Sequence, residues 1–164
     1  MLGRTSLWLR SLLWTLLLPG VVAGYVPWRF FSLGAVALDP ARPAHWAGLL
    51  GMALGVVLLV ACIVEFARSG KGTLVPLDAP RSLVVQGLYR HVRNPMYLSV
   101  TLILLGEALL AWSLALLIYW ALWFAGVNVF VLGYEEPTLR RRFGEDYRRY
   151  CARVHRWLPR PPRD

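Results

Sequence analysis

The chain has 164 residues, 57% of them hydrophobic and 13% aromatic, and a formal net charge of +9. This length limits it to about one domain, and the composition, with a mean hydropathy of +0.50, is typical of a membrane protein. The excess of cations does not indicate a nucleic-acid partner, because lysine and arginine are concentrated at the ends of long apolar segments.

Four apolar runs with few or no charges follow one another along the chain. About twenty residues of helix cross the hydrocarbon core of a bilayer, and every backbone amide in a helix finds its partner inside the helix. The sequence therefore predicts an all-α fold, a multi-pass helical membrane protein that forms a single domain over residues 1–164. The four predicted transmembrane helices cover residues 11–28, 45–67, 95–112 and 113–134.

The first run also has an interpretation as a signal peptide. Arg4 and Arg10 precede it, and a Val-Ala-Gly sequence near its end resembles a cleavage site. Pro19 and Gly20 interrupt the apolar stretch and no soluble domain follows, which favours a membrane span.

The second run contains a stripe of glycines and ends in a pair of opposite charges. Gly48, Gly51 and Gly55 fall on one helical stripe, and small residues at this spacing indicate close helix packing rather than a cofactor site. Glu65 and Arg68 lie three residues apart near the end of the run. They form either a pair that faces a bound molecule, with Glu65 as a base or orienting group, or a helical ion pair at the interface.

The third and fourth runs are joined by the short sequence AWSLA, which predicts a tight antiparallel hairpin. Glu107 lies inside the third run, close to this connection. Buried acids in membrane helices are costly when unpaired, so we expect Glu107 to hydrogen-bond to a neighbouring helix.

Lysine and arginine are retained on the cytoplasmic side of short loops. Of the 18 lysines and arginines, only Arg29 and Arg42 fall between the first and second runs, on the other side from the rest. The sequence therefore predicts an integral membrane protein with both termini and the loop of residues 68–94 in the cytoplasm.

The tail is predicted to form an amphipathic cytoplasmic helix over residues 135–158. Apolar and aromatic residues recur there at intervals of three and four, with arginines between them. Glu135, Glu136 and Pro137 suit the start of this helix, where acids meet the positive end of the dipole. The helix either rests on anionic lipid or closes as a lid over a site formed with the loop of residues 68–94.

The cysteines and histidines predict neither a disulfide nor a metal site. Cys62 lies inside the second run and Cys151 in the tail, so the two do not form a framework. His45, His91 and His155 are scattered without the spacing of a zinc site.

Residues 89–97, YRHVRNPMY, place several cations at the start of the third run. Asn94 followed by Pro95 predicts a helix start, with the asparagine as the cap and the proline in the first turn. Unpaired backbone amides and the positive end of a helix dipole bind anions. Three further donors lie beside this helix start, namely Arg90, His91 and Arg93.

Two tyrosines, Tyr89 and Tyr97, frame the same segment and are suited to hydrogen bonding or to stacking on a planar ring. The alternative is that arginine and tyrosine serve here only as interface anchors, as they do beside many membrane spans. Residue types and spacing alone leave both interpretations open.

The string GLYRHVRNPMYL, an apolar hairpin and then EEPTLRRRFGEDYRRYCARVHRWLP resemble the isoprenylcysteine carboxyl methyltransferase and phospholipid methyltransferase families of integral membrane enzymes. The resemblance extends over residues 70–159. Two separated motifs in the expected order make it specific for the family, although not for the substrate.

The resemblance implies S-adenosylmethionine as the methyl donor, bound by the loop of residues 68–94 and the tail. Tyr89, Arg93, Pro95 and Tyr97 match the first motif, and Glu135 and Glu136 match the second. Asn94 stands where the families commonly have histidine, so a contact that needs an imidazole is in doubt unless His91 provides it. From the residues themselves, Arg90 or Arg93 with the helix start suits a carboxylate, and Glu135 or Glu136 suits ribose hydroxyls or an amino group.

The sequence thus predicts methyl transfer to a lipophilic or lipidated acceptor at the cytoplasmic interface, with Arg93 and Glu65 as catalytic candidates. The acceptor is an isoprenylcysteine carboxylate, a phospholipid amine or a hydrophobic thiol. Alternatives are a nicotinamide-dependent membrane reductase and a non-catalytic lipid-binding protein. We also expect replacement of Arg93 or Glu136 by alanine to weaken donor binding with little effect on stability.

Overall fold

The structure, a computed structural model, describes residues 17–31, 33–69, 83 and 85–161, without the side chains of residues 66–69. All regular elements in these ranges are helices, so the predicted all-α class is confirmed for them. Of the predicted loop of residues 68–94, residues 70–82 and 84 lie outside the described residues. One isolated parallel bridge pairs Val92 with His155.

Five helices, α1 to α5, follow one another along the chain. α1 covers residues 17–30 and includes a π-helical turn, Val21–Tyr25. Short 3₁₀ turns at Leu33–Ala35 and Gly87–Arg90 lie in the connections before α2 and α3. The others are α2 (Pro43–Ser69), α3 (Pro95–Leu110), α4 (Leu114–Phe130) and α5 (Glu136–Arg153), with a second π-helical turn, Val131–Glu135, between α4 and α5.

Two of these helices are long and apolar enough to cross a membrane. They are Pro43–Glu65 within α2 and the helical run Leu114–Arg153, which includes α4 and α5 and is broken at Gly144. α3 is apolar but has only 16 residues, and the first predicted span, residues 11–28, is described only from residue 17. The count of four spans therefore stays a prediction.

The described residues divide into two compact units. One, here called the bundle unit, belongs to Leu16–Val60 and Met96–Val127. The other, here called the polar unit, belongs to Ala61–Pro95 and Asn128–Asp164. The predicted site residues fall in the polar unit, apart from Tyr97.

In the bundle unit, α2 packs closely on α3 through glycines. A Cβ atom on Gly48 would lie 2.7 Å from the carbonyl oxygen of Gly106, and one on Gly55 would lie 2.7 Å from that of Ser99. At Gly51 the nearest atom of α3 would be 3.5 Å away, which is ordinary contact. The predicted packing role of the glycine stripe is confirmed, because the backbones approach too closely for a side chain at two of the three positions.

The predicted tight connection between the third and fourth runs is also confirmed, whereas the antiparallel packing of the two helices stays a prediction. The Ser113 amide donates to the Ala108 carbonyl at 3.0 Å and the Trp112 amide to the Leu109 carbonyl at 3.2 Å. This pair of bonds closes α3 around a residue in the left-handed region, Trp112, with φ of 46°. The Ser113 hydroxyl then accepts from the Leu116 amide at 3.3 Å and caps α4.

Each π-helical turn precedes a proline at the same spacing. The Val26 amide donates to the Val21 carbonyl and the Glu136 amide to the Val131 carbonyl, five residues back, and each donor is followed by proline. Proline has no amide hydrogen and its ring crowds the carbonyl four residues earlier, so a wider turn relieves the crowding. The α-helix begins at Glu136, one residue after the predicted start, and the chain is already helical before it.

α5 is broken in the middle and ends earlier than predicted. Gly144 has φ of 51° and ψ of −119°, which only glycine adopts readily. The helix ends at Arg153, and the predicted end at residue 158 is wrong. Val154 is extended because the following segment pairs with residues 91–93 instead of continuing the helix.

Glu107 is 2% exposed in the bundle unit. Its Oε2 atom has no hydrogen-bond partner among the described residues. The expected hydrogen bond from this oxygen to a neighbouring helix is therefore not found in that part of the chain.

Candidate functional site

The turn before α3 is positioned by a carboxylate from the end of α2. The Leu88 amide donates to Glu65 Oε2 at 3.0 Å. Gly87, with φ of 55°, lies so close to this carboxylate that any Cβ atom there would overlap it. Glu65 therefore fixes the backbone of residues 87–90, while the side chain of its predicted partner Arg68 lies outside the described residues.

Arg93, Glu136 and Arg156 form a buried ionic cluster in the polar unit. Arg93 Nη1 donates to Glu136 Oε1 at 3.0 Å. Arg156 donates from Nε to Oε1 at 2.7 Å and from Nη2 to Oε2 at 2.9 Å, which is a bidentate arrangement. Glu136 keeps only 5% of its side-chain surface exposed and Arg93 13%. The cluster thus joins the segment before α3 to the start of α5 and to the segment after it.

The charges around Glu136 outweigh its burial. Removal from water by itself raises the pKa of the Glu136 carboxyl, which lies beyond the apolar part of the α4–α5 helix. The hydrogen bonds from Arg156 and the charges of Arg93, Arg156 and Arg140 lower the pKa by more, so the net shift is downward. Glu136 is accordingly ionised at neutral pH and holds the guanidinium groups of Arg93 and Arg156 together.

Arg93 has two further features. Its Nη1 atom lies 2.9 Å from Cys151 Sγ, so the thiol accepts a hydrogen bond from the guanidinium. Its Nε atom is buried and has no hydrogen-bond partner among the described residues. A buried donor without a partner is costly, and this nitrogen is suited to bind an acceptor atom of a ligand.

Tyr89 is enclosed by ionisable groups. The Tyr150 hydroxyl donates to the Tyr89 carbonyl at 2.8 Å, which connects the turn before α3 to the second half of α5. Burial, and then the neighbouring Cys62, Tyr150, Glu135 and Glu65, raise the pKa of the Tyr89 phenol. This phenol therefore stays protonated at physiological pH.

The segment after α5 pairs with the segment before α3. The Arg93 amide donates to the His155 carbonyl at 2.9 Å, and the Arg160 amide to the His91 carbonyl at 3.0 Å. Asn94, predicted as a cap, uses its Nδ2 atom to donate to the Arg156 carbonyl at 3.3 Å. The side chain at this position thus helps to place Arg156 beside Glu136.

A second contact attaches the same segment to the helix that precedes α5. Trp157 Nε1 donates to Asn128 Oδ1 at 3.0 Å. Asn128 is a polar residue near the end of the apolar α4. This contact explains the presence of an amide side chain there.

The structure brings most of the predicted site residues together and leaves others aside. Tyr89, Arg93, Asn94 and Pro95 lie in the polar unit with the Glu135–Glu136 pair. Arg90 and His91 are in the same turn but are exposed, and His91 Nδ1 lies 3.2 Å from the Gly87 carbonyl oxygen. Tyr97 belongs to the bundle unit.

Sequence reasoning missed Arg156, Cys151 and Tyr150 as members of the site. Arg156 is one of many arginines in a tail whose composition does not distinguish them. The only available signal was indirect, since a carboxylate as buried as that of Glu136 needs more than one cation. Cys151 and Tyr150 precede the segment that pairs with residues 91–93, a pairing that no local pattern predicts.

Comparison with known proteins gives a family for this chain. The family described as phospholipid methyltransferase matches residues 43–146, which include α2 to α4 and the Arg93–Glu136 pair. The chain belongs to the phospholipid methyltransferase family. A protein of Haemophilus influenzae described as uncharacterized is 43% identical over 68 residues, which cover 38% of this chain and 100% of that protein.

Membership of the phospholipid methyltransferase family confirms the resemblance found in the sequence. It makes the chain a methyltransferase of membranes, in agreement with two helices of spanning length and composition. The family match does not specify the methyl acceptor.

Proposed function

We propose that this phospholipid methyltransferase family member uses S-adenosylmethionine to methylate a lipophilic or membrane-associated acceptor at the cytoplasmic membrane interface. The observation that carries the proposal is the Arg93 guanidinium, which is held by Glu136 and Cys151 and whose buried Nε has no hydrogen-bond partner in the described part of the chain. Such a nitrogen is prepared to donate to a carboxylate.

The residues of the polar unit fit the polar groups of this donor. The molecule has a carboxylate, an amino group, two ribose hydroxyls and an adenine. Arg93 Nε would hold the carboxylate, Glu135 would accept from a ribose hydroxyl or the amino group, and Tyr89 would donate or stack. When bound, S-adenosylmethionine supplies an electrophilic methyl group that is transferred to a nucleophile as its carbon–sulfur bond breaks.

Glu136 acts in this proposal as a positioning residue rather than as a direct ligand. Its oxygens already accept three hydrogen bonds from Arg93 and Arg156 and are almost fully buried. The carboxylate therefore fixes the orientation of Arg93. Preorganised donors of this kind cost no rearrangement when the ligand arrives.

Glu65 is placed to support the same site from the end of α2. Its carboxylate accepts a hydrogen bond from the amide of Leu88, the residue before Tyr89, and its negative charge acts on the Tyr89 phenol. In the proposal Glu65 orders the turn that carries Tyr89.

The acceptor class stays open among an isoprenylcysteine carboxylate, a phospholipid amine and a hydrophobic thiol, all of which are soluble in or attached to the bilayer.

Calorimetry on detergent-purified protein tests the choice of cofactor. We expect S-adenosylhomocysteine to bind and reduced nicotinamide dinucleotide not to bind. Replacement of Arg93 by lysine keeps a positive charge for Glu136 but removes Nε, and it should weaken binding by about tenfold. Arg148→Lys, on the exposed side of α5, is the matched control and should leave affinity unchanged.

Binding of the dinucleotide alone would replace the proposal with the reductase interpretation, and binding of neither compound would favour a non-catalytic role.

The acceptor is then identified by transfer of a radiolabelled methyl group into extracted membranes. Label is expected in a lipid or a lipidated protein. Label confined to water-soluble small molecules would contradict the proposed acceptor class.

A further inference from the structure

The exposed side of α5 carries six arginines. They are Arg140, Arg141, Arg142, Arg148, Arg149 and Arg153. The Gly144 break separates the first three from the others. None of the six belongs to the proposed donor site, although Arg140 lies near its edge.

The acidic residues of α5 neutralise these arginines unequally. Arg148 pairs with Glu145 at 3.4 Å and Arg149 with Asp146 at 2.6 Å, both three residues apart on the helix. Arg140 lies 3.7 Å from Glu136.

Arg141 and Arg142 differ from this pattern. Within the described part of the chain, no carboxylate lies within ion-pair distance of either guanidinium. Arg141 contacts the Thr138 hydroxyl at 3.4 Å, and Arg142 lies over the Phe143 ring. Two adjacent, exposed and uncompensated cations remain in the first half of α5.

The chain is helical from Leu114 to the break at Gly144, so the distance of Arg141 and Arg142 from the apolar segment can be read along the helix axis. At 1.5 Å per residue, Arg141 and Arg142 lie about 9 to 11 Å along the axis beyond Glu135, where the apolar segment has ended. The headgroup region of a bilayer adds about 5 to 8 Å on each side of the hydrocarbon core. Helical side chains point back towards the N-terminus of the helix, which is the membrane side here, so both guanidinium groups reach the headgroup layer.

We propose that Arg141 and Arg142 form a binding surface for the phosphate groups of anionic phospholipids in the leaflet where α4 ends. Lipid phosphates complement the positive charge of the two arginines. The arginines also follow, in the same helix, an apolar segment long enough to span the membrane. The surface lies little more than one turn from Glu136. Lipid bound there attaches the start of α5, and with it the buried ionic cluster, to the membrane surface.

The test uses the full-length protein in nanodiscs of mixed phosphatidylcholine and phosphatidylglycerol, with the retained lipids counted by native mass spectrometry. The Arg141→Gln/Arg142→Gln double variant should lose preference for phosphatidylglycerol by about tenfold at low salt. The matched control, Arg148→Gln/Arg149→Gln, removes the same charge beyond Gly144. It should keep the preference within about twofold.

An equal loss in both double variants would show diffuse attraction by the whole tail and would overturn the proposal, as would no loss in either. Retention of the preference in Arg141→Lys/Arg142→Lys supports a surface that works by charge. Displacement of the lipid by inorganic phosphate at equal concentration would instead indicate a site for free anions. If the double variant fails to fold, the two single glutamine variants are measured instead. Each should lose about threefold of the preference for phosphatidylglycerol, and no loss in either would contradict the proposal.

Discussion

Glu136 shows at the scale of one residue how burial changes the meaning of a motif. The paired glutamates match a family pattern, and the sequence favoured their contact with a bound donor. In the structure Glu136 is 4% exposed and its oxygens are occupied by Arg93 and Arg156. These contacts argue against the expectation that replacing Glu136 would leave the stability of the protein nearly unchanged.

Replacement of Glu136 by alanine should destabilise the protein by about 2 to 3 kcal/mol. The change leaves two guanidinium groups close together without a counter-charge. The cost is below that of a fully buried pair because Arg156 and Arg140 keep contact with water. Chemical denaturation in detergent measures it, with Glu145→Ala as the control because Glu145 is mostly exposed. Equal stability of the two variants would contradict a structural role for the cluster.

The lowered pKa of Glu136 predicts a dependence of stability on pH. Because the pKa of this carboxyl is lower in the folded protein than its ordinary value of 4.5, its contribution is complete above that value. The contribution is lost as the pH falls through the folded-state pKa. The stability advantage of the wild type over Glu136→Gln should thus be constant near neutral pH and shrink below about pH 4.5. Thermal unfolding of both proteins from pH 7 to 3 checks this, and a constant difference would refute it.

The sequence indicated Arg93 and Glu136 as site residues but not the ionic cluster that they form with Arg156. Each lies beside a helix boundary marked by proline, so local chemistry indicated both. Arg156 joins them only because the chain turns back after Val154 and pairs with residues 91–93. Such a long-range pairing has no local signal, and the roles of these side chains towards a ligand stay predictions.

Helix packing at the scale of elements was better specified by the sequence. The glycine stripe indicated close contact, and the structure supplies the partner, α3, with Gly106 opposite Gly48. Glycine at a helix contact permits an approach that a methyl group blocks. The sequence could not show which glycine of the stripe is essential.

Gly48→Ala should destabilise the bundle unit and Gly51→Ala should not. A Cβ on Gly48 would lie 2.7 Å from the Gly106 oxygen and 2.8 Å from the Leu110 nitrogen, so the two backbones must separate. Overpacking of this kind costs about 1 to 3 kcal/mol. At Gly51 the nearest atom is at 3.5 Å and alanine fits. The apparent melting temperatures of the two variants in detergent measure the difference, and an equal loss would contradict the packing.

Gly144 limits helix α5 through its backbone rather than through space. Nothing lies within 4 Å of a Cβ built there, yet φ is 51°. Alanine at this position should cost about 1 to 2 kcal/mol because the conformation is strained for any side chain. Gly126, equally open but inside α4, is the matched control, and Gly126→Ala should be neutral or slightly stabilising. Identical melting temperatures for the two variants would mean that the break is not required.

At the scale of the whole molecule, the lengths of the apolar runs predicted where helices form. They predicted four membrane crossings, of which two coincide with helices of spanning length. The two candidate spans, Pro43–Glu65 and the α4 part of Leu114–Arg153, coincide with predicted runs. α3 was also predicted, but its 16 residues fall short of the usual length of a span. The first predicted span, residues 11–28, is described only from residue 17. α3 and residues 11–28 therefore stay predicted crossings.

Charge distribution makes a separate prediction about topology. Arg29, near the end of α1, and Arg42, just before α2, are the only lysines or arginines in residues 11–67, whereas the segment after α2 and the tail are rich in them. Since basic loops stay in the cytoplasm, both termini should be cytoplasmic and the segment between α1 and α2 should lie on the opposite side.

Fusions in a bacterial host report the two sides of the membrane. Alkaline phosphatase is active only outside the bacterial cytoplasm, and green fluorescent protein reports the cytoplasmic side. Phosphatase should be active when fused after Arg42 and inactive after the last residue, where green fluorescent protein should fluoresce. An active phosphatase at the C-terminus would place the ionic cluster of Arg93, Glu136 and Arg156 away from the cytosolic supply of S-adenosylmethionine, and the proposed function would then lack its cofactor.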